Sequence, residues 1–240
     1  MIIKELYKQL VPGLVLPPSW FIDEGVSYQL LDKYVDSGWL VRVSEKGGYT
    51  TVHDQPSLLG LCAGLESVAP SIYHLSGAHA LVANGLLSST SLNPLISSKN
   101  KVIPKWSKDL SRYGISIDRM TKNCIYDFVL EIETKHYPLS TFSYRCSSNE
   151  RAIVELLSTC ESSSSNYVKE TFRIFEEVFP SLNTVKLQAV IDNTSSQVAL
   201  RLLKHLTQSK EINLAIKCRN NKPIEIVANG CLTRPCNLYL

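Results

Sequence analysis

Two stretches of the chain concentrate side chains suited to a polyanion. Between Lys99 and Lys122 seven basic residues, Lys99, Lys101, Lys105, Lys108, Arg112, Arg119 and Lys122, stand against Asp109 and Asp118, a local net charge of +5. Trp106 and Tyr113 are interleaved with them. Cationic groups neutralise phosphates and aromatic rings stack on bases, so the composition suits a nucleic acid, although a solvated basic face shares it. From Arg201 to Lys222 the residues Arg201, Lys204, Lys210, Lys217, Arg219 and Lys222 face only Glu211, again +5. Lys101, Lys105, Lys108, Arg112, Lys217, Arg219 and Lys222 make up a candidate basic patch.

The other reactive residue types are not spaced for catalysis. His74 and His79 lack the partners of a metal or nucleophile motif and read as capping or surface residues. His205, Cys218, Cys231 and Cys236 would in principle supply four zinc ligands, but the C-x2-C pairing of structural zinc sites is missing, which favours cysteines buried as small apolar side chains. Seven cysteines, an odd number, are scattered through a long chain without an export signal and point to reduced thiols. There is no phosphate-cradling glycine loop, no metal-ligand run, no nucleophile elbow and no paired-carboxylate spacing. The expectation is a non-enzymatic protein without metal or cofactor.

The element best placed to present polar side chains to a partner runs from Gly25 to Val52. Leu30, Leu31, Tyr34 and Val35 recur at helical spacing and bury one face, leaving Tyr28, Gln29, Asp32, Lys33 and Asp36 outward. Gly25 suits the tight turn before this helix, Ser27 its N-cap, and Gly38 its end. Trp39 to Val43 and Tyr49 to Val52 are rich in β-formers around Gly47-Gly48, which permits a tight reversal. Helix, turn, helix and hairpin is the order of a winged helix-turn-helix; a small helical unit with a hairpin used only for packing is the other reading.

With 240 residues and 26.8 kDa the chain accommodates two domains, expected at 1–54 and 55–240. Hydrophobic residues at 44% and charged residues at 20% are ordinary for a globular protein. No apolar run approaches the roughly 18 residues that cross a bilayer, and Met1 to Glu5 lacks a signal-peptide pattern, so a cytoplasmic protein without a membrane partner is expected. The net charge of +3 is unevenly spread. Residues 1–54 carry five Lys or Arg against seven acids, a net of −2, which counts against tight DNA binding by that domain alone.

The remaining elements follow the same patterns. Ile2 to Leu10 reads as a first helix, Leu14 to Leu16 as a short strand that pairs with the hairpin, and Pro17-Pro18-Ser19 as the opening of the next helix. Tyr73 to Leu87 reads as a helix ending on Gly85, and Ser88 to Asn100 as a loop. Cys124 to Glu133 reads as a strand paired with Tyr137 to Tyr144, and Ser147 or Ser148 as the cap of a helix buried through Ala152, Ile153, Leu156 and Leu157. Further amphipathic helices follow, with closing strands at Ile212 to Ile216 and Ile224 to Val227.

Several segments together, LPPSWFIDEGVSYQLLDKYVDSGWL, GAHALVANGL, VIPKW, SSNERAIVELL and the NLYL ending, resemble the AbiEi family of bacterial antitoxins. GVSYQLLDKYVDSGWL and SNERAIVELL are the most specific. The resemblance implies an α+β protein with an N-terminal winged helix-turn-helix followed by a larger mixed α/β C-terminal antitoxin domain. It implies repression of its own operon through inverted repeats in promoter DNA, and neutralisation of a nucleotidyltransferase-like toxin without a stable complex, the type IV arrangement. Carried over by position, Tyr28, Gln29 and Lys33 lie on the recognition helix and Arg42, Lys46 and Tyr49 on the wing. Gln29 would read adenine while Lys33, Arg42 and Lys46 would meet phosphates. The alternative is a winged-helix scaffold for a protein partner, or a transcriptional regulator without antitoxin activity.

Overall fold

The computed structural model of the chain describes residues 3–99, 104–107, 110–115, 119–122, 124–160, 164–208, 214 and 216. Three short helices open it: α1 (Ile3–Tyr7), α2 (Pro18–Asp23) and α3 (Tyr28–Asp36). The first is shorter than expected. Pro18 sits at the start of α2, where its missing N–H costs nothing, and Ser27 caps α3 by accepting the Leu30 N–H at 3.2 Å.

Strands β1 (Leu40–Ser44) and β2 (Gly47–Thr51) pair antiparallel, with Arg42 opposite Tyr49 and Ser44 opposite Gly47. The reversal therefore falls on Glu45 and Lys46 rather than on Gly47-Gly48. The two glycines begin β2 with positive φ, which glycine adopts without strain, and there is no room for side chains either: a Cβ on Gly47 would lie 2.9 Å from Pro18, and one on Gly48 2.8 Å from Val43. The expected short strand before α2 is present as a two-bond bridge between Leu16 and Tyr49.

Helix α4 (Leu58–Val68) follows, capped by Ser57, which accepts the Gly60 N–H at 2.9 Å. After it come β3 (Tyr73–Ser76), α5 (Gly77–Ala83), β4 (Leu95–Ser98), β5 (Arg119–Lys122), β6 (Ile132–His136) and β7 (Ser143–Ser147). Five strands form one sheet in the order β5-β4-β3-β7-β6, with β3 and β7 parallel and Leu75 opposite Cys146. Three sequence expectations are corrected here. Tyr73 to Ser76 is strand rather than helix, Leu95 to Ser98 is strand rather than loop, and Cys124 to Leu130 is irregular with a single bridge at Ile125. β3 and β4 are four residues each and buried along their whole length, polar side chains included, so their sequences do not mark them as interior strands. His74 consequently lies inside the sheet, 1% exposed, and not on the surface.

The last part is helical: α6 (Asn149–Ser158), α7 (Ser165–Val178), α8 (Thr184–Asp192) and α9 (Gln197–Gln208). The closing strands expected at Ile224 to Val227, and all of Ile212 to Ile216 except Leu214 and Ile216, lie outside the described residues. No helix among the described residues is long and apolar enough to cross a membrane.

The chain divides into two compact units, one of Met1–Leu75, Asn93–Met120 and Glu133–Cys146, the other of Ser76–Leu92, Thr121–Ile132 and Ser147–Leu240. In the first, Leu14, Val15, Leu16, Phe21, Leu31, Leu40, Leu61 and Leu65 are buried. The segment 13–16 lies directly on α4. A Cβ on Gly60 would collide with the Gly13 carbonyl, and one on Gly64 with the Val15 carbonyl. The Tyr137 hydroxyl donates to the Pro12 carbonyl at 2.8 Å and meets Ser57 Oγ at 3.0 Å, which ties three remote segments together.

In the second unit α6 is buried from Glu150 to Leu157, charged residues included. Arg151 is fully enclosed. Its Nε donates to Glu155 at 2.7 Å, and its Nη1 donates to the Phe128 carbonyl at 3.0 Å and the Leu130 carbonyl at 2.5 Å. Ser147 Oγ donates to the other Glu155 oxygen at 2.6 Å. Glu150 accepts the Asn183 N–H at 2.8 Å in front of α8.

Candidate nucleic-acid interface

Helix α3 carries the first group of candidate residues. Its inner face is set by Leu31 and Tyr34, and the 3.6-residue period then leaves Tyr28, Gln29, Asp32, Lys33 and Asp36 exposed, Tyr28 at 64%. These outward positions are those the sequence assigned. Trp39, just past the helix, is held by an edge-on contact with Tyr7 at 5.4 Å and by the Tyr7 hydroxyl, which donates to its carbonyl.

The hairpin carries the second group. Arg42 is exposed in mid-β1 and Lys46 is exposed at the reversal. Tyr49 is different. It is 4% exposed, with its ring edge-on to Phe21 at 5.5 Å and its backbone bonded to Leu16, so it is a core residue of the hairpin. The Arg42 guanidinium lies 5.7 Å over that ring and donates to Asp32 of α3 at 2.7 Å. The adjacent Tyr49 side chain, with the Asp32 carboxylate adding to it, holds Arg42 above the ordinary arginine pKa.

The third group comes from a segment that the sequence separates from the hairpin by about sixty residues. Lys105 to Ser107 forms one 3-10 turn, with Trp106 and Ser107 buried. Trp106 stands against Gly47 and Gly48, and its carbonyl accepts the Ser44 hydroxyl at 3.1 Å. The expectation of Trp106 as a surface stacking residue is therefore corrected. A second 3-10 turn, Ser111–Tyr113, ends on Gly114 with φ of 73°. Arg112 is exposed there, stacks on Tyr113 at 4.8 Å, and donates from Nη2 to the Arg42 carbonyl at 2.7 Å. Lys105 and Arg112 thus join Arg42 and Lys46 around one hairpin. Lys101, Lys108, Lys217, Arg219 and Lys222 lie outside the described residues.

Sequence reading misses two relationships here: the Asp32–Arg42 pair, and the anchoring of Arg112 on β1. Neither leaves a local signal, since the partners are ten and seventy residues apart.

The described residues contain no group of three or more His, Cys, Asp or Glu side chains placed to hold a metal ion. Cys218, Cys231 and Cys236 are outside them. The described cysteines, Cys62, Cys124, Cys146 and Cys160, are free thiols. Burial pushes Cys124 up to about 11 and Cys160 up to about 12, which keeps both protonated and unreactive at neutral pH.

Residues 1–89 match the family model described as the N-terminal domain of the AbiEi antitoxin transcriptional regulators. Residues 94–217 match the model described as "Transcriptional regulator, AbiEi antitoxin, Type IV TA system". The chain belongs to the AbiEi antitoxin family. It is accordingly a mixed α+β chain with an N-terminal AbiEi transcriptional-regulator domain, in a family that is regulatory rather than catalytic. No curated protein compared with the chain matches it. In this AbiEi chain the exposed polar face of α3 and the hairpin fall within the N-terminal match, and the 105–113 segment falls within the second.

Proposed function

We propose that the chain is a non-enzymatic antitoxin that represses its own operon by binding inverted repeats in promoter DNA and neutralises a cognate nucleotidyltransferase-like toxin without a stable complex. In this reading α2, α3 and the β1–β2 hairpin are a winged helix-turn-helix within residues 1–54, and residues 55–240 include the antitoxin domain. The observation that carries it is the exposure of Tyr28, Gln29 and Lys33 on a capped helix beside a hairpin that bears Arg42 and Lys46. Gln29 has the donor and acceptor pair that matches adenine in the major groove, and the cations suit phosphates. Lys105 and Arg112 extend the cationic surface along the wing and offset the negative charge of the first 54 residues. Tyr49 supports the wing from inside.

The test is a gel shift with the DNA upstream of the chain's own reading frame. Lys33→Ala with Arg42→Ala is expected to weaken binding, lowering the salt slope by about one for each phosphate no longer neutralised, and to leave toxin neutralisation intact. Unchanged affinity would move the binding surface elsewhere.

A second reading, a winged-helix scaffold for a protein partner, is favoured by the exposed aromatics Tyr28 and Trp39 and by Asp32, which occupies Arg42. Salt separates the two. A phosphate-driven complex weakens steeply between about 50 and 200 mM salt, and an apolar interface changes little.

A further inference from the structure

Asp32 and Arg42 meet across the seam between α3 and β1, on the face assigned above to DNA. Asp32 Oδ1 accepts from Arg42 Nη2 at 2.7 Å, with side chains 62% and 42% exposed. The guanidinium also lies 5.7 Å over the Tyr49 ring, and Arg112 braces the strand by donating to the Arg42 main-chain carbonyl at 2.7 Å. The group that would meet a phosphate is thus already engaged by a carboxylate. A guanidinium grips a phosphate through its N–H donors, and Asp32 takes one of those donors here. The carboxylate also stands where phosphates would approach and repels them.

We propose that Asp32 is a governor of DNA affinity: its carboxylate competes with backbone phosphate for Arg42, and so holds the grip on promoter DNA below what the cations of this surface would give. The proposal rests on the DNA-binding reading above. Exposed ion pairs of this kind shift equilibria modestly, so the governed factor is about three- to fivefold. Freeing Arg42 adds about one phosphate to the salt slope.

The test uses the full chain and a duplex taken from immediately upstream of its own reading frame, titrated at several salt concentrations with fluorescence anisotropy as the readout. Asp32→Asn is expected to bind about three- to fivefold tighter with a salt slope steeper by about one, and Asp32→Glu, which keeps the pair, to behave as the wild type. In an Arg42→Ala background Asp32→Asn is expected to gain far less, because the guanidinium that carboxylate and phosphate compete for is gone. An Asp32→Asn variant no tighter than wild type, or one whose gain is the same with and without Arg42, overturns the proposal while leaving the DNA-binding reading in place. A wild-type chain that binds no such duplex overturns both.

Discussion

Arg112 donates from Nη2 to the carbonyl oxygen of Arg42 at 2.7 Å, so a residue late in the first unit is bonded to the middle of the hairpin's first strand. The bond satisfies a carbonyl of β1 and brings a second arginine onto the strand that carries the first. Arg112→Ala is expected to weaken promoter binding and reduce the salt slope by about one. Anisotropy titrations at two salt concentrations decide it; an unchanged slope would mean that Arg112 only braces the strand.

Arg151 and Glu155 form an ion pair with side chains 0% and 3% exposed, and the arginine also closes the irregular 127–130 segment through its carbonyls. Removing one partner strands a charge without water. Arg151→Met is expected to cost about 3–5 kcal/mol, whereas Arg151→Met combined with Glu155→Leu costs less because no charge is left behind. Urea denaturation of the single and double variants measures the difference, and a double variant as unstable as the single would rule out the stranded charge as the cause.

Gly60 and Gly64, one turn apart on α4, admit the backbone of residues 13–16. Alanine would raise helix propensity by about 1 kcal/mol, but its methyl group would strike a main-chain carbonyl that cannot step aside as a side-chain tip does. Overpacking of this kind costs about 1–3 kcal/mol or more, so the clash wins. Thermal melts of Gly60→Ala and Gly64→Ala are expected to shift downward; an upward shift would show that the segment relaxes freely.

His79 on α5 is held below the ordinary histidine pKa by burial, and its Nδ1 has no hydrogen-bond partner among the described residues. The folded chain resists the proton, and the unfolded chain, with a histidine pKa of about 6.5, accepts it. Stability from this group is therefore full above about pH 6.5 and is lost as pH falls from there through the lowered folded value. Urea midpoints measured from pH 7.5 down to about 5 are expected to fall more steeply for the wild type than for His79→Gln. Parallel curves would remove His79 as the cause.

The parts of the fold legible in the sequence are those whose local signals agree. For α3 the apolar period, the Ser27 cap and the terminating Gly38 all point the same way, so its outward face is readable residue by residue. Ser148 announces α6 in the same manner, accepting the Arg151 N–H at 3.3 Å. The central strands are not legible, because β3 and β4 are four residues each and bury polar side chains (His74, Ser76, Ser97, Ser98) that local sequence reads as turn or surface. Of the candidate interface, the exposure of Gln29 and Lys33 follows from the helical period, while Arg42 and Lys46 are placed on the hairpin by the family resemblance. Tyr49, placed on the wing by resemblance, turns inward against Phe21 and Leu16, and Arg112 meets β1 from seventy residues away, so neither relationship leaves a local signal.

The Tyr137 hydroxyl closes on Pro12 and Ser57 in front of α4. At ribosomal speeds of roughly 5–20 residues per second, residue 137 emerges on the order of ten seconds after residue 12. Until then the N-terminal region lacks its clasp, and a polypeptide cut short by a stop codon or a protease before that point never acquires it. A truncated translation product would for that reason carry α4 and the 12–16 segment without the tie that a complete chain makes between them.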